Sequence, residues 1–113
     1  WILDLMTNWF SVRWLAYQVK RNADPEELQH WAATLLAKHG GDLGGYQDFD
    51  GTNMPAGLRK VHAGHPNVRI WEGRKIWMFG DQKGSPFLVI DPSLLTPTNQ
   101  NIFPWKPGIY IVR

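Results

Sequence analysis

The sequence predicts an α+β domain, an N-terminal helical hairpin packed on a mostly antiparallel sheet of about four strands. Three observations carry this. Helical periodicity is confined to the first 39 residues, strand-like runs are confined to the part after residue 67, and the two kinds of element follow one another instead of alternating. A chain of 113 residues is one domain, and 43% hydrophobic against 19% charged residues is a globular balance, not a disordered one.

Residues 3–22 are predicted as the first helix. On a helical projection Asp4, Thr7, Asn8, Ser11, Gln18 and Asn22 gather on one narrow side, and Ile2, Leu5, Met6, Trp9, Val12, Ala16 and Val19 cover a wide opposite side. Arg13 and Lys20 fall inside the apolar arc, one above the other, where such cations snorkel to the rim or meet an anionic partner. Asp4, Arg13 and Lys20 interrupt the run, which argues against a transmembrane span. Asn8 and Ser11 offer lipid headgroups nothing basic, which argues against an interfacial helix. An arc this wide packs in the core or against a protein partner, with Trp9, Phe10 and Trp14 as the candidate contacts.

Residues 25–39 form the best-marked helix. Asp24 is the cap, Pro25 the first helical residue, and Glu27 completes an Asp-x-x-Glu capping box. Leu28, Trp31, Ala32, Leu35 and Leu36 recur at helical spacing, Lys38 and His39 suit the negative end of the dipole, and Gly40 stops the helix.

Residues 40–67 are rich in Gly, Asx and Pro, and a loop this long is often functional. Within it Leu58-Arg-Lys-Val61 is predicted as one helical turn. Val68-Arg-Ile-Trp71 and Lys75-Ile-Trp-Met78 then alternate around Gly73 as a β-hairpin. A three-residue loop, Glu72-Gly73-Arg74, pairs Ile70 with Ile76. It makes one face aliphatic and puts Arg69, Trp71, Lys75, Trp77 and Phe79 on the other. A four-residue loop would pair Trp71 with Ile76 and leave both faces mostly apolar, and we favour the three-residue loop. Phe87-Leu-Val-Ile90 and Ile109-Tyr-Ile-Val112 are apolar on both faces, as central strands are. Pro92, Pro97, Pro104 and Pro107 are expected to hold the segment between them irregular, and Trp105-Lys-Pro-Gly108 is a turn into the last strand. The predicted core is Leu28, Trp31, Leu35, Val68, Ile70, Ile76, Met78, Leu88, Ile90, Ile109 and Ile111.

The order of two helices, a long loop and about four strands resembles that of small bacterial ribonuclease toxins. This is a resemblance of element order without a shared motif. It implies, by analogy alone, a domain acting on RNA.

Charge is distributed unevenly. Residues 1–53 carry four Lys/Arg against seven Asp/Glu, and residues 54–83 carry six against two, within a chain of net charge +2. A local positive field is the footprint of a phosphate-binding site, and equally of a solvated face. His62 and His65 lie beside Arg59 and Lys60 in this stretch. Two imidazoles near cations have the makings of a general base and a general acid on a ribose phosphate, although a loop holding two His most often has a surface or structural role. Arg69, Trp71, Arg74, Lys75 and Trp77 are the candidate nucleic-acid contacts, the aromatics stacking bases and the cations holding phosphates.

No metal or cofactor is expected. With no Cys there are no thiolate sites or disulfides. Gly64 and Pro66 oppose the helix that would present both His to a metal with Asp48 or Asp50, and Asp48-Phe-Asp-Gly-Thr-Asn53 departs from a calcium loop. Gly40-Gly-Asp-Leu-Gly-Gly45 lacks the Lys-Ser/Thr of a phosphate loop. A chain opening at Trp1 reads as a fragment or processed piece of a longer protein, and nothing in it fixes a compartment.

The functional expectation is a nucleic-acid-binding domain for RNA or single strands, in its sharper form a metal-independent ribonuclease. The alternative is a non-catalytic interaction or structural subunit that uses a Trp-rich apolar surface, for which seven Trp in 113 residues are the support.

Overall fold

The computed structural model describes residues 2–39, 54–61, 68–71, 75–80 and 86–113, with the side chains of 2–11, 39 and 71 left aside. Helices α1 (Ile2–Asn22) and α2 (Pro25–His39) are joined by Ala23 and Asp24. Asp24 caps α2 as its sequence requires, with Oδ1 accepting from Glu26 N at 3.3 Å and its carbonyl from Leu28 N at 3.0 Å. A short helix, α3 (Ala56–Arg59), falls two residues ahead of the predicted turn because Pro55 supplies its N-cap.

Five strands follow: β1 (Arg69–Trp71), β2 (Lys75–Phe79), β3 (Phe87–Ile90), β4 (Ile102–Lys106) and β5 (Ile109–Val112). They lie in the order β1-β2-β3-β5-β4 and every pairing is antiparallel. The fold is α+β as the sequence implies. The hairpin register is the one a three-residue loop gives, Ile70 opposite Ile76 and Arg69 opposite Trp77. The loop residues 72–74 themselves lie outside the described residues.

Among the described residues the sheet has five strands, where about four were expected. Ile102–Lys106 was expected to be irregular because of Pro104, but it pairs with β5 as an edge strand. Asn101 O accepts from Arg113 N at 3.2 Å, so bonded pairs alternate from there and Pro104 sits opposite Tyr110 in a non-bonded pair. The missing N–H of Pro104 therefore faces away from β5, where no ladder bond is lost. The turn also moves on by one residue. Pro107 and Gly108 join Lys106 to Ile109, with Gly108 at φ 76°, the type II geometry. A type II turn mismatches strand twist, and a register shift between Pro104 and Lys106 takes up the difference.

The core lies between the helices and one face of the sheet. Val12, Leu15, Val19, Leu28 and Ala32 meet Val68, Ile70, Ile76, Met78, Leu88, Ile90, Ile109 and Ile111 there, all buried. Trp31 and Leu35, predicted as core, pack against this cluster but stay partly exposed at its margin. Phe79 departs from the alternation that put it on the basic-aromatic face. Its φ is 66°, and the turned backbone carries its ring into the helix-side core, where it is buried. Gly80 follows at φ 64°, and a Cβ there would run into the Phe87 ring.

The first helix is rotated from the predicted orientation. Gln18, on the supposed polar side, is buried and Asn22 is half-buried, while Trp14 and Tyr17 are 53% and 51% exposed. α3 contributes to this. A Cβ on Gly57 would come within 3.0 Å of Ala23 Cα and closer still to Asn22 O, so α3 lies directly against the end of α1 at Asn22 and Ala23. Asn22 Nδ2 donates to Gln18 O at 3.0 Å, which satisfies an amide that the contact half-buries.

Candidate functional site

The hairpin positions its cation and aromatic as the alternation requires, but they are engaged within the sheet. Arg69 and Trp77 are cross-strand neighbours, and both are half-buried. Trp77 meets Phe87 edge-on, with centroids 5.2 Å apart and planes at 75°. The Arg69 guanidinium carbon lies 6.0 Å from the centre of the same ring. Phe87 is thus shared by a T-shaped pair and a cation–π contact. Lys75 is half-buried opposite Trp71, and the Trp71 side chain and Arg74 lie outside the described residues.

The second group of candidates is divided. Arg59 ends α3, Lys60 follows it, and both are exposed. His62 and His65 lie outside the described residues, as do Asp48, Asp50 and the glycine-rich Gly40–Gly45 segment. Ser93 donates its hydroxyl to Asp91 Oδ1 at 2.6 Å, and Ser93 N donates to the same oxygen at 2.9 Å. That is an Asx turn, which accounts for the pairing without a catalytic role.

The face not foreseen is on α1. Within residues 12–22 the exposed positions are Arg13, Trp14, Tyr17, Lys20 and Arg21, three cations and two aromatics with no carboxylate. They adjoin because positions three and four apart share a helical face. Trp14 and Tyr17 stack with centroids 6.0 Å apart and planes at 18°. Arg21 donates from its guanidinium to the Tyr17 hydroxyl at 2.6 Å and lies 5.9 Å from its ring centre. These contacts favour one arrangement of the two aromatics while about half of each residue stays in water. Trp14 was a sequence candidate, whereas Tyr17 and Arg21 were missed. The signal was the spacing Trp14, Tyr17, Arg21 alongside Arg13 and Lys20. The side chains of the other two candidates, Trp9 and Phe10, lie outside the described residues.

Next to this face a shallow groove runs between α1 and β4. Val19, Leu88 and Ile111 belong to its floor, and Lys20, Phe103 and Trp105 to its rim. Phe103 points to the helix side of the sheet, in the row of Leu88 and Ile111, but it lies on the edge strand and is 39% exposed.

Among the described residues no three His, Asp or Glu side chains gather as metal ligands, and no helix is long and apolar enough to cross a membrane. Comparisons with protein families, with curated proteins and with solved structures returned no match.

Proposed function

We propose that this domain is a protein-interaction module that binds through the exposed face of α1. The observation that carries the reading is the Trp14–Tyr17–Arg21 stack, mutually in contact and half in water. Trp, Tyr and Arg are the residue types that dominate interface hot spots. Rings already in mutual contact lose less freedom on binding than isolated ones. Covering the exposed half of Trp14 removes roughly 100 Å² from water, about 2–3 kcal/mol of driving force. The test is selection of short random peptides on the intact chain. Selected peptides are expected to bind about tenfold more weakly, ~1.4 kcal/mol, to a Trp14→Ala variant. Peptides indifferent to that substitution, or none selected, would refute the reading.

A second reading is binding of RNA or single-stranded nucleic acid, with Arg69, Arg74 and Lys75 on phosphates and Trp71 or Trp77 under bases. Its support is the excess of six cations over two acids in residues 54–83, with Arg59 and Lys60 exposed. Ribonuclease activity through His62 and His65 is its sharper form. It ranks second because Arg69 and Trp77 are already spent on Phe87. Fluorescence anisotropy with mixed-sequence RNA separates the two. RNA affinity that falls steeply with salt, is reduced by Lys75→Glu and ignores Trp14→Ala would replace the first reading by the second.

A further inference from the structure

Resting on the protein-interaction reading, the groove beside α1 narrows the chemistry of the partner. Its floor is aliphatic, and among the described residues Lys20 is the one charged side chain that lines it. At about 40 Å³ it admits one aliphatic side-chain tip. A cofactor-sized ligand takes ~300–1,000 Å³.

The backbone of β4 excludes one mode of docking. Partners often add a strand to a sheet edge through main-chain hydrogen bonds. The outward positions of β4 begin with Ile102, whose N–H is taken by Asn99 O at 3.0 Å, and Pro104, which has no N–H. The edge lacks donors where a strand would start, so an occupant is held by side chains.

Charge then selects the occupant. Lys20 on the rim is followed by Arg21, both exposed, with no acid between residues 12 and 22. A polynucleotide would satisfy these cations but would bring nothing aliphatic to the floor. A protein segment supplies both kinds of group.

We propose that the partner presents an acidic segment with one Leu, Ile or Val flanked by carboxylates. The aliphatic side chain seats between Phe103 and the Lys20 stem, and the carboxylates pair with Lys20 and, further along the face, with Arg21. Each half alone is weak, since an exposed ion pair contributes ~0–1 kcal/mol, so recognition needs both.

The experiment uses three labelled peptides of equal length, one with Leu between Glu residues, one with that Leu replaced by Ser, and one with the Glu residues replaced by Gln. Anisotropy against the intact chain should show binding of the first, with the other two at least tenfold weaker. Lys20→Glu should weaken the first peptide about tenfold and Lys38→Glu, on α2, should leave it unchanged. Phe103→Ser should act like Lys20→Glu. If that variant melts early, Lys20→Glu, on an exposed helical position, carries the test alone. Equal binding of the Leu and Ser peptides overturns the groove assignment. If that binding still depends on Trp14, the interaction reading survives it. No peptide binding up to about 1 mM overturns the groove proposal. Binding of oligouridylate that is lost with Lys20→Glu, in place of peptide, overturns both.

Discussion

Gln29 of α2 donates from Nε2 to the main-chain oxygen of Asp91 at 3.2 Å, 62 residues further along the chain. The same amide reaches Pro107 O at 3.1 Å, and Asp91 N donates to Gly108 O at 2.7 Å. One side chain thus ties the second helix to the end of β3 and to the turn before β5. Its Oε1 is buried with no partner among the described residues, which offsets part of this gain. Gln29→Ala is therefore expected to cost about 1 kcal/mol, less than two intact hydrogen bonds. Thermal melting should show a midpoint lowered by about 5 °C. An unchanged midpoint would show that the tie contributes nothing.

Gly108 stands at the centre of this knot. Its φ is 76°, and a Cβ there would lie 2.8 Å from Gln29 Nε2 and closer still to Asp91 O. Its N–H also donates to Thr96 Oγ1 at 2.8 Å. Gly108→Ala meets a left-handed conformation and a backbone clash together, so a loss of about 2 kcal/mol or more is expected in a urea melt. A loss no greater than that of Gln29→Ala would mean that the turn opens freely.

The sequence was most legible where side-chain pattern and backbone chemistry agree. The Asp24-Pro25 start of α2 allows one structure, and the alternation of the hairpin leaves two registers, of which the observed one keeps Ile70 and Ile76 opposite one another on one face. Strand β4 was illegible because Pro104 forbids a strand only where its N–H would be needed, and edge position is a tertiary fact. The rotation of α1 was hidden for a similar reason. Gln18 and Asn22 look solvated in the sequence, yet Gln18 is buried and α3 lies against Asn22, which leaves Trp14 and Tyr17 on the outward face. Of the candidate site, Trp14 was legible as an aromatic in need of a partner. Its stack with Tyr17 was not, because the apolar pattern alone does not say which side of α1 faces solvent.

Leu94 offers a stabilising change. It holds φ 65° in the turn closed by Leu94 N donating to Asp91 O at 3.0 Å, and its side chain is 55% exposed. A branched side chain in the left-handed region costs roughly 1–2 kcal/mol, whereas Asn tolerates it. With little burial to lose, Leu94→Asn is expected to raise stability by about 0.5–1 kcal/mol in urea melts. A lower stability would show that the exposed Leu94 side chain makes a contact worth more than the strain.

Folding should not depend on a divalent metal. The described acidic and imidazole side chains form no cluster of three, and the remaining candidates are Asp48, Asp50, His62 and His65. Thermal melts with and without EDTA are expected to coincide. A clear drop with chelator would assign those four residues a structural ion, since a ligand bound only by the folded state raises stability by mass action.

The orientation of α1 decides whether its aromatic face is available, and Gly57 contributes to it. A Cβ at Gly57 would lie 2.9 Å from the Asn22 carbonyl carbon, and it would meet backbone, which cannot swing aside as a side chain can. Gly57→Ala must therefore push α3 away from the end of α1 and loosen its contact with Asn22 and Ala23. The expected loss is about 2 kcal/mol or more, typical of overpacking. Trp14→Ala removes a larger side chain but from a surface already 53% exposed, so its effect should stay near 0.5 kcal/mol. The ranking is opposite to that of residue size, which makes it a direct test by urea denaturation. A Trp14→Ala loss exceeding that of Gly57→Ala would mean that Trp14 is a packing residue and that the exposed face of α1 lies elsewhere.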